Sequence, residues 1–354
     1  MSADPSPLTT EPELGAAVDL CTADGRRLNP AARGWSRTPL HRANLRGGWG
    51  RTKRWDYWAV LAGDLLVSAT YADVDYLGIA AVWWCDLASG TTGGRDVIVP
   101  FARGLELPEV PATRPLHYAG KSLDLDLIDD PDGTTRIAAR WRERDGREAS
   151  LDAAIAMPEG HESLNVVIPW TERRFQFTSK HQARPAAGTL RVGDRRYEFG
   201  DVAGSGAEPA WGVLDVGRGR WPYRTRWNWA GGAGSSVDGR TVGLQLGGKW
   251  TDGTGFTENG MIVEGRLHKL GAELRWDYSW DEPLRPWRVT APGGELDLTL
   301  TPRFGKHSRT AAVVLATEVH QVFGSWSGRF RTDDGGEVVL DGLQGFAEES
   351  RSRW

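Results

Sequence analysis

Eighteen of the 354 residues are tryptophan, and they cluster in short segments of the chain. The richest segment, residues 221–229, has the sequence WPYRTRWNW. If this segment is a strand, alternation places four aromatic residues on one face: Trp221, Tyr223, Trp227 and Trp229. The polar residues on the opposite face are Arg224, Arg226 and Asn228. Such a strand predicts one wall of an aromatic-lined ligand cavity, and core packing alone is an equally weighted alternative.

Composition and charge exclude several classes of protein. The formal net charge is −4, which offers no electrostatic basis for binding nucleic acid. Two cysteines, Cys21 and Cys85, make no disulfide framework and indicate a reducing compartment. Residues 1–13 are polar and lack the apolar core of a signal peptide, and the apolar runs at 79–85 and 311–316 are too short to span a bilayer. We therefore expect a cytoplasmic protein with no integral membrane segment.

Alternation of apolar and polar residues dominates between the 45 glycines and 19 prolines that interrupt the chain. Clean examples are residues 123–127, 188–192 and 296–300. Long helical periodicity is almost absent, and short helices are predicted at 149–157 and 11–20. The predicted class is all-β, sandwich or barrel, with few short helices.

An internal duplication is predicted from four matches that occur in the same order in the two halves. Residues 54–57 resemble 226–229, residues 123–127 resemble 296–300, and residues 188–191 resemble 328–331. Each half then ends on a tryptophan, Trp211 and Trp354. We predict a lead-in at 1–43, a first β-domain at 44–211 and a second, similar β-domain at 212–354. Strands from both halves could meet at a shared interface, a common position for a ligand site.

Several long motifs carry a resemblance to a known family. Residues 50–58, 218–229, 257–260 and 265–269 resemble the domain-of-unknown-function family 2804, over about residues 44–354. More distantly, the duplicated layout resembles the lipocalin-like carotenoid 1,2-hydratases and tocopherol cyclases. That resemblance implies two barrels, an apolar cavity and acid catalysis on polyenes without metal or redox cofactor. The Asp-His-x-Trp-Gly motif of the hydratase-like proteins is absent at 206–212 and 345–354, so the resemblance implies the fold more strongly than the reaction.

Two carboxylates are predicted as catalytic residues, Glu258 and Asp56. A carboxylic acid in an apolar pocket has a raised pKa and can act as an acid, but a carboxylate such as Asp56 beside Lys53 and Arg54 more often forms a structural ion pair. The predicted ligand-binding residues are Trp55, Tyr57, Trp221, Tyr223, Arg224, Trp227, Trp229, Asn259 and His268. For Asn259 the alternative is a tight Asn-Gly hairpin turn, and for His268 it is a purely structural role.

The sequence favours binding of a hydrophobic isoprenoid-, polyketide- or lipid-like small molecule, with possible cofactor-free hydratase, cyclase or isomerase chemistry. No histidines show metal-binding spacing, so no metal and no cofactor are predicted. A non-catalytic lipid carrier is an alternative, and it predicts that the candidate acids lie outside the cavity. A carbohydrate-binding β-protein is another, and it predicts exposed tryptophans. The oligomeric state is left open.

Overall fold

The structure, a computed structural model, describes residues 8–201, 209–311 and 315–354. One short 3-10 helix spans Pro30–Ala32. The strands before residue 221 are β1 (Val18–Asp19), β2 (Trp35–Ser36), β3 (His41–Arg42), β4 (Thr52–Ala62), β5 (Leu65–Asp73), β6 (Leu77–Asp86), β7 (Thr91–Pro100), β8 (Leu116–Ala119), β9 (Leu123–Asp129), β10 (Thr135–Arg142), β11 (Glu148–Ile155), β12 (Leu164–Thr171), β13 (Arg174–Val192), β14 (Arg195–Phe199) and β15 (Ala210–Arg220). The strands after residue 221 are β16 (Arg224–Ser235), β17 (Thr241–Gly248), β18 (Asn259–Val263), β19 (Arg266–Leu270), β20 (Arg275–Asp277), β21 (Trp287–Thr290), β22 (Leu296–Ala311), β23 (Ala316–Arg331) and β24 (Glu337–Arg353).

Two large antiparallel sheets contain nearly all of these strands. The first has the order β7-β6-β5-β4-β15-β13-β11-β10-β9-β8, with β2, β12 and β14 attached, and the second has the order β19-β18-β17-β16-β24-β23-β22-β21-β20. The chain leaves the first sheet after Arg220 and enters the second at Arg224. The predicted all-β class is confirmed. Among the described residues, no helix is long and apolar enough to cross a membrane.

The two halves are built in the same way, as the duplication predicts. In each half four consecutive strands form a meander, β4–β7 and β16–β19. The last strand of each half then returns to pair with the first strand of that meander, β15 with β4 and β24 with β16. The fold therefore consists of two similar lipocalin-like halves. The division into domains at residue 212 stays a prediction, and that residue lies inside β15.

The two predicted helices are wrong. Residues 148–155 form β11, which pairs with β10 on one side and β13 on the other. Its apolar residues Leu151, Ala153 and Ile155 alternate with exposed ones. They therefore face the apolar interior of the first half, as in a strand, despite the run of alanines. Residues 11–20 contain a single bridge between Glu13 and Trp35 and the strand β1. The predicted strands at 123–127, 188–192 and 296–300 are confirmed.

Parts of three predicted segments lie outside the described residues. These are residues 1–7 of the N-terminal tail, 206–208 of the first repeat end and 312–314 of the second apolar run.

Each half has its own apolar interior, and a third apolar cluster lies where the halves meet. Strand β4 contributes to two of them, since its side chains alternate. Trp58 and Val60 point into the interior of the first half. Ala59 and Leu61 belong to the cluster shared with Phe323 of the second half. The two sheets therefore pack against each other through one face of β4 and its neighbours.

A buried ion pair lies on the inward face of β4, away from the interface. Asp56 lies 2.6 Å from the guanidinium of Arg218 on β15, and both side chains are almost fully buried. Arg218 also donates a hydrogen bond of 2.7 Å to the carbonyl of Trp55. Burial raises the pKa of Asp56, and the charge of Arg218 opposes that rise.

We expect Asp56→Ala to lower the free energy of unfolding by about 3–5 kcal/mol, because it leaves the buried Arg218 without its partner. Urea unfolding followed by tryptophan fluorescence measures the change. The control is Asp64→Ala, whose ion pair with Arg303 is exposed and is expected to contribute little. Equal stability of Asp56→Ala and the unaltered protein would contradict this role for the pair.

Candidate functional site

An aromatic cavity lies between the two sheets, and both halves contribute to its walls. Its volume is about 320 Å³, at the lower end of the range of roughly 300–1,000 Å³ typical of small-molecule sites. The aromatic residues that line it are Trp55, Tyr57, Trp221, Trp227, Trp229, Trp250 and Trp354. The polar residues that line it include Thr70, Thr178, Lys180, Asp215, Glu258, Lys306, Gln321 and Glu348. The site is thus an apolar chamber with a few charged groups.

Trp221 is the centre of the aromatic wall. Its ring stacks on Trp250 with a centroid distance of 5.4 Å. It also contacts Trp55 at 5.6 Å, Trp227 at 5.8 Å and Trp354 at 5.9 Å. Its indole N–H donates a hydrogen bond of 2.7 Å to Gln176, so the polar edge of this buried ring has a partner. Residues from both halves therefore fix the position of one ring.

Glu258 precedes β18 and points into the cavity. The indole N–H of Trp250 donates to its Oε1 at 2.7 Å, and the ammonium of Lys180 lies 3.2 Å from its Oε2. Burial raises the pKa of Glu258 to about 7, although Lys180 and Trp250 favour the ionised form. Gly247 of β17 makes room for this carboxylate, because a Cβ at that position would lie 2.2 Å from Oε1.

Glu348 of β24 is a second carboxylate of the same kind. The indole N–H of Trp227 donates to its Oε1 at 3.0 Å, and the amide of Gln321 donates to its Oε2 at 3.0 Å. Burial raises its pKa to about 7 as well. The cavity therefore contains two carboxyl groups that both exchange protons near neutral pH.

Lys180 of β13 bridges two acids. Its ammonium lies 2.9 Å from Asp215 and 3.2 Å from Glu258, and 4.6 Å from the centre of the Trp229 ring. Burial alone lowers the pKa of Lys180, but the two carboxylates outweigh it and hold the pKa above its usual value. Lys180 therefore stays charged and is fully occupied by partners within the protein.

The strand registers give the cavity an approximate two-fold symmetry. Tyr57 lies opposite Asp215 in the first half, and Trp229 lies opposite Glu348 in the second. On the next strand of each sheet, Lys180 of β13 lies opposite Asp215, and Gln321 of β23 lies opposite Glu348. Each half thus presents an aromatic residue, an acid and a hydrogen-bond donor in one row.

Six of the predicted site residues line the cavity together: Trp55, Tyr57, Trp221, Trp227, Trp229 and Glu258. The other five predicted site residues are absent from the described lining of the cavity: Asp56, Tyr223, Arg224, Asn259 and His268. The ion pair of Asp56 is described above. Tyr223 is exposed beneath the guanidinium of Arg51, and Arg224 is an exposed residue at the start of β16. His268 pairs with Asp333 at 2.8 Å.

Asn259 has a structural role beside the cavity. Its side chain accepts a hydrogen bond from the N–H of Gly247 at 2.7 Å and donates one to the carbonyl of Ala272 at 3.0 Å. The alternative prediction of an Asn-Gly turn is wrong, because Asn259 begins β18. The hairpin turn instead comes at Glu264 and Gly265, which both have positive φ, at 49° and 81°.

Sequence analysis missed Glu348, Lys180, Asp215 and Trp354 as cavity residues. A repeat signal was present, since Arg218-Gly-Arg-Trp221 matches Arg351-Ser-Arg-Trp354. In each copy an acid lies three residues before the first arginine, Asp215 or Glu348. The predicted match of Trp211 with Trp354 is wrong, because Trp211 lies near the start of β15 and Trp354 follows the end of β24.

One group of side chains in the described residues has metal-ligating atoms close together. The atoms of His307, Glu318 and His320 lie within 4.8 Å of one another on β22 and β23. His307 and Glu318 form a partly exposed ion pair of 3.0 Å, and the two histidine rings stack at 4.2 Å. None of these three residues is part of the cavity lining.

The fold and the aromatic chamber define a duplicated lipocalin-like protein with an aromatic cavity between its halves. The chain belongs to the family described as domain of unknown function (DUF2804), which matches residues 11–354. The family resemblance inferred from the sequence is thereby confirmed. No curated protein sequence matches the chain.

Solved structures similar to this chain include an AttH-type protein, NE1406, from Nitrosomonas europaea. It has a TM-score of 0.50 at 13% identity, over 84% of this chain and 92% of that one. Kievitone hydratase from Nectria haematococca has a TM-score of 0.47 at 9% identity, over 97% of both chains. CghA with Sch210972 has a TM-score of 0.41 at 11% identity, over 86% of this chain and 89% of that one. The likeness to NE1406 supports the fold alone.

We expect the two raised pKa values to lower stability as pH rises. Below about pH 4.5 Glu348 is protonated in both states, whereas between about 4.5 and 7 the folded state alone holds the proton, so stability is lost over that window. Glu348→Gln should reduce the loss of unfolding free energy between pH 5 and pH 8 by about 2–3 kcal/mol. Urea unfolding at both pH values measures it.

The control for this experiment is Thr70→Val, which alters another cavity-lining residue without removing a titrating group. It should keep the pH dependence of the unaltered protein. The quantity compared is the change in unfolding free energy between pH 5 and pH 8. A loss of stability that is equal at both pH values, such as one caused by a misplaced amide, therefore does not affect the result. Identical pH dependence with and without Glu348 would show that this carboxyl does not titrate in the window.

Proposed function

We propose that this protein binds a hydrophobic isoprenoid-, polyketide- or lipid-like molecule in the cavity between its halves and catalyses a cofactor-free hydration, cyclisation or isomerisation. The observation that carries the proposal is the pair of buried carboxyl groups, Glu258 and Glu348, in a chamber whose walls are largely aromatic. Burial brings the pKa of each to about 7. An acid with a pKa near the working pH is both present in its protonated form and able to give up its proton.

The proposed reaction begins with transfer of a proton from one carboxyl group to a carbon of a substrate double bond. A C–H bond forms, the neighbouring carbon becomes a cation, and the donor is left as a carboxylate. In hydration, water forms a C–O bond to the cation and returns its proton to the carboxylate. In cyclisation, the electrons of a second double bond attack the cation, which forms the C–C bond of the ring and moves the cation to another carbon. In cyclisation and in isomerisation, a C–H beside the final cation then loses its proton to the carboxylate that the first step produced, and a C=C bond forms. Charge and atoms balance without an oxidant or reductant.

Aromatic faces around the chamber suit a cationic intermediate. Trp221, Trp227 and Trp354 form one continuous cluster, and Trp229 already lies 4.6 Å from the ammonium of Lys180. A cation over an indole face gains roughly 0.5–2 kcal/mol, and more when water is excluded. The same walls hold an apolar chain in a folded conformation, which lowers the entropy cost of ring closure.

The two alternatives receive less support. A pure lipid carrier needs no acid in its cavity, whereas Glu258 and Glu348 both line this one. Carbohydrate binding through surface tryptophans needs exposed indoles. All eighteen tryptophans lie in the described residues, and Trp49 is exposed while the others are buried or half-buried. A cytoplasmic location remains part of the proposal, supported by two unpaired, buried cysteines.

The first experiment is native mass spectrometry of gently purified protein, with solvent extraction of any molecule that travels with it. We expect one discrete apolar ligand, since the chamber buries a small molecule between aromatic walls. Extraction of Trp221→Ala provides the comparison, because loss of the central ring should release the ligand. Protein that is repeatedly empty from different expression hosts would count against stable ligand storage.

The second experiment tests for chemistry with the extracted ligand or a panel of polyenes in D₂O. Proton transfer from a carboxyl group leaves one deuterium on carbon, which mass spectrometry detects after exchangeable deuterium is washed out. Glu258→Gln and Glu348→Gln should each lower turnover by roughly 100-fold or more, with binding within a few fold of the original. Thr70→Val is the matched control and should keep turnover. Binding without any deuterium incorporation would favour the carrier.

A further inference from the structure

Lys306 is the one lysine at the cavity whose ammonium has no hydrogen-bond or ion-pair partner among the described residues. It lies on β22 and lines both the aromatic cavity and a neighbouring surface depression, so its side chain lies where the two meet. Its ammonium lies 4.0 Å from the centre of the Trp83 ring. No hydrogen bond or ion pair joins this half-buried side chain to another described residue, which sets it apart from the buried lysines.

The chain has six lysines, and four of the others are buried or half-buried with polar partners. Lys180 contacts two carboxylates, and Lys269 lies 2.6 Å from Glu11. Lys249 lies 3.2 Å from Glu349, and Lys53 donates to Val74 and Tyr76. The sixth, Lys121, is exposed. Lys306 itself is half-buried, and a bound anion would offset the cost of partly removing its ammonium from water.

The strand registers place Lys306 in a row that leads to Glu348. Lys306 lies opposite Gln321 on β23, and Gln321 lies opposite Glu348 on β24. Neighbouring strands are about 4.8 Å apart, so the row spans about 10 Å between the backbones of Lys306 and Glu348. A molecule held at Lys306 would extend its apolar part across Gln321 towards Glu348 and the tryptophans.

The corresponding row of the first half has no such cation at its end. There Leu164 of β12 lies opposite Lys180, at the position that Lys306 takes beside Gln321. Leu164 is buried in an apolar cluster with Trp221 and Trp250. The two halves therefore differ at this position: the first has a buried leucine that is absent from the described cavity lining, and the second has a lysine that lines the cavity.

We propose that Lys306 binds an anionic oxygen group of the substrate, so that the ligand is an amphipathic acid with its apolar body directed at Glu348. The anionic group could be a carboxylate, an enolate or a phenolate, which share a charged oxygen acceptor. This inference rests on the proposed function, because it assigns a polar end to the molecule bound there.

Burial lowers the pKa of Lys306 to about 8, and Glu348, the Cys85 thiol and Asp96 oppose that change through weak charge interactions. At pH 7 the ammonium form therefore predominates by about tenfold. A bound anion would replace the water that the ammonium loses, and a charge-assisted hydrogen bond is stronger than a neutral one.

Two fluorescent probes that differ by one anionic group test the proposal at pH 7. They are 8-anilinonaphthalene-1-sulfonate and its uncharged counterpart N-phenyl-1-naphthylamine, both detected by energy transfer from the cavity tryptophans. We expect Lys306→Leu, which introduces the residue type of the equivalent position in the first half, to weaken binding of the sulfonate by roughly tenfold or more. Affinity for the uncharged probe should change less than about threefold. Lys121→Leu is the control and should leave both affinities unchanged.

Two other outcomes would contradict the proposal. If Lys306→Leu weakens both probes equally, or neither, the assignment of an anion to Lys306 is overturned while the hydrophobic cavity stands. If neither probe binds to the unaltered protein, both the anion site and the proposed hydrophobic ligand are contradicted.

Discussion

The packing of the two sheets against each other is the constraint on which the rest of the structure depends. Each half fills its own interior with apolar side chains, so its second face must be covered by the other half. Apolar residues such as Ala59, Val213 and Phe346 form a buried cluster in this contact. Tryptophans line the cavity that lies between the sheets. Burial of apolar surface stabilises this contact, since each Å² removed from water contributes roughly 25 cal/mol of free energy.

The same contact explains why charged groups persist in an apolar place. Glu258 and Glu348 each accept an indole N–H, so two tryptophans of the wall also satisfy the acids. Lys180 neutralises Asp215 and part of Glu258. Without such partners, carboxylates at these depths would cost several kcal/mol each. The tryptophans therefore have two functions, since their faces are apolar walls and their N–H groups are hydrogen-bond donors.

Much of this arrangement could be predicted from the sequence, and the remainder could not for identifiable reasons. Alternation placed Trp227 and Trp229 on one face and Arg226 and Asn228 on the other, because period-two patterning depends on local geometry alone. It failed for Tyr223, since the strand begins one residue later, at Arg224. Lys180 and Glu348 could not be inferred locally, because their location depends on which strands pair and in which register. The alanine-rich β11 is predicted as a helix from local sequence because alanine is a weak strand former and one of its two partners, β13, is remote in sequence.

Duplication within one chain allows what a symmetric dimer of a single half cannot achieve. In a two-fold dimer both copies must carry the same residue at every equivalent position, so a central chamber would be identical at its two ends. Here one gene encodes both halves, and the equivalent positions have diverged, with Leu164 facing Lys180 in one and Lys306 facing Gln321 in the other. The two halves therefore place different side chains at equivalent positions around the chamber. Under the proposed function, a molecule with two different ends would bind in a single preferred orientation, which is the condition for delivering a proton to one chosen carbon.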